Sequence, residues 1–230
     1  MYRLNFPRSR SMAAMVVAGV LMLSGTATAG PQEDLFEAIR RDDTRKVEAL
    51  LLRGVSTNAV DPTAGPAIVA AAMERSAGAV QALLLSPATD IDARNPAGET
   101  ALMYASLFGD LDTVKLLVAR RAQINQPGWT ALHYAAGSGQ LSVVQYLLEQ
   151  NAYIDAPSPN GTTPLMMAAR EGRVTVAEYL VREGADPTLR NEPGLDAADY
   201  FMRAGNTRQA EWMRDESRAW TRKHGGAGRR

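Results

Sequence analysis

Two kinds of apolar run alternate along residues 34–213. One is short and alanine-rich, as at Ala135-Ala136 and Ala168-Ala169. The other is longer, with bulkier residues at Val47, Leu50 and Leu51, then Val80, Leu83 and Leu84, then Thr113, Leu116 and Leu117. Val143, Tyr146 and Leu147 continue the series, followed by Val176, Tyr179 and Leu180. Spacings of three and four fall on one stripe, so each long run predicts an amphipathic α-helix. The alanine-rich runs predict shorter helices that neighbours can approach closely. Gly109, Gly139 and Gly172 lie between the two kinds of run, where a left-handed residue would end the first helix. Pro164 suits a first helical position, where its missing N–H is unpaired anyway. Turn-forming segments such as residues 155–161 predict projecting, hairpin-like fingers.

The alternation is a repeat. Thr100, Thr130 and Thr163 open three units, and the three glycines follow nine residues later. Extending the grid puts unit starts at 34, 67, 100, 130, 163 and 196, with steps of 33, 33, 30, 33 and 33. The predicted architecture is all-α: about six helix-turn-helix units with short β-hairpin-like fingers, stacked as a solenoid over residues 30–220. The units span about 31–63, 64–96, 97–126, 127–159, 160–192 and 193–220. Asp34, Ala67 and, in the last unit, Asp196 stand where Thr100, Thr130 and Thr163 open the middle units. The 100-to-130 unit is three residues short, so its finger at 125–129 must be tight. The first unit carries Arg40-Arg41-Asp42-Asp43, as a solvated cap should. The last has Trp212 and Met213 at the leucine-pair positions. Its helix is expected to run on, with Trp220 covering the end of the stack and 221–230 left as a basic, flexible tail.

The 33-residue period, Thr130-Ala131-Leu132-His133-Tyr134-Ala135-Ala136, Thr163-Pro164-Leu165 and Gly184-Ala185-Asp186 make this chain resemble the ankyrin repeat family over about 34–213. The resemblance implies that Thr and His side chains hold the turn by hydrogen bonds within and between repeats. Here those are Thr100, Thr130, Thr163 and His133. It also implies a concave binding face made by the finger tips and by the positions seven and eight after each start, plus the residue before it. Those columns place Leu107, Phe108 and Trp129 mid-stack, beside Arg75, Ser138, Arg170 and Glu171. Exposed aromatics ringed by arginine are the material of interface hot spots. Alternatively, Phe108 and Trp129 close the short finger by packing on each other. Tyr104 and Tyr134 read as inter-repeat core.

Composition narrows the chemistry. There is no cysteine and only two histidines, which removes disulfides, thiol nucleophiles, thiolate metal sites and multi-histidine metal sites. No phosphate loop or Ser/His/Asp arrangement emerges, and neither a cofactor nor a metal is expected. Asp42-Asp43 and Asp90/Asp92 could act as acid/base pairs, but exposed cap and loop positions account for them. Asp110 and Asp112 suit the start of a helix, where acids favour the positive dipole end. Met103, Met166 and Met167 read as core. The formal charge is zero but uneven: +3 over 1–29, +5 over 218–230 and −8 between them. A body of that sign disfavours nucleic acid.

Residues 1–11 are basic, 12–23 are apolar or small, and Ala27-Thr28-Ala29 precedes Gly30. This reads as a signal peptide cleaved between Ala29 and Gly30. Twelve residues rise only about 18 Å as a helix, short of the ~30 Å hydrocarbon core. An uncleaved inner-membrane anchor facing the periplasm is the alternative. Arg outnumbers Lys 22 to 3, a bias suggesting a GC-rich bacterial gene. The expected protein is a non-enzymatic binding module in the periplasm or outside, holding a protein partner. Membrane contact is expected only through the signal segment or, weakly, the basic tail. The resemblance also suggests an oxidative-stress accessory of the catalase-associated type, and a secreted effector that binds a host protein is a third alternative.

Overall fold

The computed structural model describes residues 30–224. The expected signal segment, with Ala29, and the tail 225–230 lie outside the described residues. Among the described residues, twelve helices fall into six consecutive pairs. The first members are α1 (Pro31–Arg40), α3 (Ala67–Met73), α5 (Ala101–Phe108), α7 (Ala131–Ser138), α9 (Pro164–Arg170) and α11 (Ala197–Arg203). Their partners are α2 (Thr44–Leu52), α4 (Ala77–Leu83), α6 (Leu111–Ala119), α8 (Leu141–Glu149), α10 (Val174–Arg182) and α12 (Thr207–His224). Each first helix packs on the next first helix, and α2, α4, α6, α8 and α10 form a second row behind them. One finger closes as a two-stranded antiparallel ladder, β1 (Val60–Asp61) with β2 (Gly65–Pro66), Val60 opposite Pro66.

The first row is built from small side chains. Residues 67–72 of α3, 101–106 of α5 and 164–169 of α9 are all buried, because each helix is sandwiched between two others. Met103, Met166 and Met167 lie in that interior. A helix buried all round has no polar stripe, which is why alanine and methionine replace the usual amphipathic pattern there.

The second row fixes the register of the stack, and here the first two units differ from expectation by one residue. Every second helix begins eleven residues after a unit start of 33, 66, 100, 130, 163 or 196. On that grid the positions fourteen and seventeen after the start are buried in all six units. They are Val47 and Leu50, Val80 and Leu83, Val114 and Leu117, Val144 and Leu147, Ala177 and Leu180, and Ala210 and Met213. Leu116, Tyr146, Tyr179 and Trp212, one position earlier than the last of these, are only half-buried against the core. The first two starts are therefore 33 and 66, not 34 and 67.

The turn between paired helices follows the same grid. Gly109 and Gly139 end α5 and α7 in the left-handed conformation, at φ 71° and 84°, and Gly172 at φ 65° follows Glu171 after α9. A side chain at Gly109 would also collide with the Gln140 amide of the next unit. Asp42 (φ 53°) and Arg75 (φ 59°) occupy this position in units one and two. Three of these turns are tied to the following unit by the residue just before its second helix. Ser76 donates to Asp42 at 2.6 Å, Gln140 Nε2 to the Leu107 carbonyl at 3.4 Å, and Arg173 Nε to the Gly137 carbonyl at 3.2 Å.

A second ladder runs along the base of the fingers. Asn58 accepts from the Asp90 N–H, Asp92 from Gln123, Asn125 from Tyr153, and Asp155 from Asp186, at 2.8 to 3.1 Å. Asp92 is thus a rung between units, and Asp43 caps α2 by accepting from the Lys46 N–H. Asp110 caps α6 in the same way through Thr113, with Asp112 in the first turn.

The last helix departs from expectation. α12 is at least twice the length of its counterparts and runs through 221–224, so the predicted tail is helical up to His224. Trp212 packs on the core, whereas the Trp220 ring lies 4.1 Å from that of His224 on the same helix. Trp220 spends its face on that local partner, one turn away, and Trp212 with buried Met213 closes the stack instead. Among the described residues no helix is long and apolar enough to cross a membrane.

Candidate functional site

The ends of the first-row helices are where that row reaches solvent. Residues seven and eight after each corrected start are Arg40 and Arg41, Met73 and Glu74, Leu107 and Phe108, Gly137 and Ser138, Arg170 and Glu171, and Arg203 and Ala204. Of these, Met73, Leu107 and Phe108 are half-buried hydrophobics that rest on the core with one side open. They stand as a strip at equivalent helix ends in units two and three, whose first helices α3 and α5 pack on each other.

Arg75 does not belong to those columns. It is the left-handed turn residue after α3, and its guanidinium lies 5.7 Å from the centroid of the Phe108 ring. The physical reason is the one-residue shift: the connection from unit two to unit three is a residue longer than the grid allowed. Arg75 still reaches the strip, but from the turn. A cation over an exposed ring contributes about 0.5–1 kcal/mol. The other face of the strip leads inward, since the Phe108 and Tyr104 rings stack at 6.3 Å. Trp129 is half-buried, and its ring meets the His133 imidazole edge-on at 5.2 Å. Phe108 and Trp129 therefore each have their own ring partner.

Arg170 pairs with neighbouring Glu171 at 3.0 Å, and Glu171 is exposed. The Ser138 hydroxyl donates to the Tyr134 carbonyl at 2.6 Å and is occupied within its own helix.

Beneath the strip lies a polar hub that the sequence columns did not reveal. Glu99, the residue before Thr100, accepts from the hydroxyls of Tyr104 and Tyr134 and from Asn95 Nδ2. It joins unit three to unit four. Burial, reinforced by the Glu99 carboxylate, pushes both tyrosine hydroxyls well above their ordinary pKa, so they remain neutral donors. Glu99 occupies the column preceding each start, and that placement is its only sequence signal.

The turn residues behave as a set with one unusual member. Thr100 and Thr163 accept from the N–H groups of Met103 and Met166 at 3.4 and 3.3 Å, closing the first turns of α5 and α9. In unit four the third residue is His133. Its Nδ1 accepts from the Thr130 N–H at 3.2 Å and lies 2.9 Å from the Thr130 hydroxyl. Its Nε2 lies 2.9 Å from the Thr162 carbonyl, which can only accept. That contact assigns the proton to Nε2 and links units four and five. Complete burial lowers the imidazole pKa to about 4. Such a group is a structural tie, not a proton donor at neutral pH.

The tight finger of the short 100-to-130 unit is held by Gln126, which accepts from Arg94 at 2.6 Å and donates to the Trp129 carbonyl at 3.0 Å. Gly30 precedes α1, and its N–H reaches Glu33 at 3.3 Å. Among the described residues no three His, Asp or Glu side chains come together as a metal-binding group.

Stacked helix pairs with projecting fingers, and side chains presented along the ends of one helical row, define a helical-repeat solenoid of the partner-binding class. The sequence matches ankyrin repeats (3 copies) over residues 35–128 and 120–191. The chain belongs to the ankyrin repeat family. No curated protein matches it. Ankyrin repeats are protein–protein interaction modules, and proteins built from them are generally non-enzymatic.

Proposed function

We propose that this chain is an exported scaffold whose mature form, beginning at Gly30, holds a protein partner on the strip formed by Met73, Leu107 and Phe108. The observation that carries the reading is the set of half-open hydrophobics at the ends of the packed helices α3 and α5, with the Arg75 cation over the aromatic member. An apolar anchor beside a guanidinium offers the contact type that dominates interface energetics. The basic n-region, short apolar run and Ala-x-Ala exit support export to the periplasm. The start of α1 at Pro31 is compatible with cleavage after Ala29, because no helix of the stack would be cut.

The test uses mature chain as bait against the periplasmic fraction of its own cell. Replacing both Leu107 and Phe108 by Ala should weaken capture of the partner by roughly thirtyfold, given about 2 kcal/mol for a hot-spot anchor. Leu52→Ala, on the opposite row, should leave capture unchanged. Equal capture by the double variant, with far-UV circular dichroism intact, would show that the strip is not the binding face. Recovery of uncleaved chain in the cytosol would remove the export reading.

A further inference from the structure

The longest helix ends beside a cleft that the repeat pattern does not require. A regular second-row helix has nine residues, and α12 has eighteen. Its second half turns back along the last finger, where the Ser217 hydroxyl donates to the Pro187 carbonyl at 3.1 Å. The opening between finger and helix has a volume of about 460 Å³. That is within the usual range of small-molecule sites, roughly 300–1,000 Å³.

Three guanidiniums line it. Arg190 comes from the finger, and Arg218 and Arg222 come from α12. The last two are four residues apart and share one helix face. The carboxylate in the wall, Asp196, is already matched by Arg190, which also reaches Asp199 at 3.3 Å. Arg218 pairs with Asp215 one turn back, but both side chains are largely exposed, so the pair is weak and exchangeable. Arg222 has no carboxylate partner among the described residues. The Thr188 and Thr221 hydroxyls already donate to Asp186 and the Ser217 carbonyl, so the free donors of the cleft are guanidinium N–H groups.

We propose that this cleft between the last finger and α12 receives a phosphoryl group, through the guanidiniums of Arg218 and Arg222. Two forks on one helix face supply more N–H donors than the two oxygens of a carboxylate can use, and they match the several oxygens of a phosphate. The volume leaves room for the body of a small phosphorylated molecule. A phospholipid headgroup presents the same chemistry at a surface. The site is separate from the Met73–Phe108 strip and does not depend on it.

Isothermal titration of mature chain with inorganic pyrophosphate at low ionic strength tests this. Saturable binding is expected, weakened roughly tenfold or more in Arg218→Gln and in Arg222→Gln, the equivalent of one lost charge-assisted contact. Arg208→Gln, on the same helix but outside the cleft, should bind like the parent. Sedimentation with phosphatidylglycerol vesicles separates the two sources. Vesicle binding that falls in the two cleft variants, without pyrophosphate saturation, assigns a lipid headgroup. Citrate binding as tight as pyrophosphate would overturn the phosphoryl assignment. No saturable binding to either probe, or binding unchanged in both variants, would overturn the site itself.

Discussion

At the scale of single residues, His133 has the largest consequence for stability. It is fully buried, neutral, and hydrogen-bonded at both ring nitrogens. Burial holds its folded pKa near 4, against about 6.5 in the unfolded chain. The unfolded state therefore binds a proton more readily than the folded state does. Stability from this residue is complete above pH 6.5, declines as pH falls, and levels off below about 4. The loss amounts to about 3 kcal/mol. Asp155 works in the opposite sense: burial raises its carboxyl pKa, so its ionisation weighs against the fold as pH rises. Comparison with His133→Gln isolates the histidine. Urea midpoints of the variant should be nearly flat between pH 6.5 and 4 after subtraction of the common carboxylate background, while the parent declines. A parent curve parallel to that of the variant would mean the imidazole is not held neutral. At pH 7.5 the variant should lose about 1 kcal/mol, through imperfect replacement of one hydrogen bond.

At the scale of helices, the register of the first two units is the informative case. Both carry three leucines in a row, Leu50–Leu51–Leu52 and Leu83–Leu84–Leu85, so a leucine pair can be found in either of two registers. Their turns also lack the glycine that marks the later units. Packing decides what the pattern leaves open. Leu50 is 6% exposed and Leu83 0%, whereas Leu52 is 90% and Leu85 73% exposed. Leu50→Ala or Leu83→Ala should each cost about 2–5 kcal/mol. Leu52→Ala and Leu85→Ala should stay within about 0.5 kcal/mol. Chemical denaturation of the four variants checks the register, and equal losses at positions 50 and 52 would refute it. Units three to five were legible because threonine and glycine bracket each first helix there. The Glu99 hub and the finger-base ladder were not legible. Asn, Asp and Glu in a loop carry no period, and only the stacking of units brings them to the next N–H or hydroxyl. Met73 was hidden by the same one-residue shift that misplaced Arg75, and the path of α12 past Trp220 has no repeat to copy.

At the scale of the whole molecule, the helix packing among the described residues runs chiefly within units and between neighbouring units, so the stack behaves as a nearly one-dimensional array whose ends need covers. The first cover is α1 with its charged outer surface. The last is unit six, where Phe201, Ala210 and Met213 are buried and the Tyr200 hydroxyl accepts from Asn191 of unit five, which also donates to Thr162. Without the helices of that unit, α9 would meet water on the side α11 now covers, and Asn191 would lose the Tyr200 hydroxyl. A chain ending at residue 195 should accordingly unfold at a lower temperature, with a broader transition and a tendency to aggregate. Phe201→Ala, a smaller lesion at the same interface, should cost about 3–5 kcal/mol without changing the solubility of the folded form. A chain of residues 30–224 contains every interface described and should melt as one cooperative unit. Calorimetry of these three proteins distinguishes a cover from an ornament. If the chain ending at 195 melts at the same temperature as residues 30–224, the sixth unit contributes nothing to the array, and the cleft beside α12 becomes its main reason to exist.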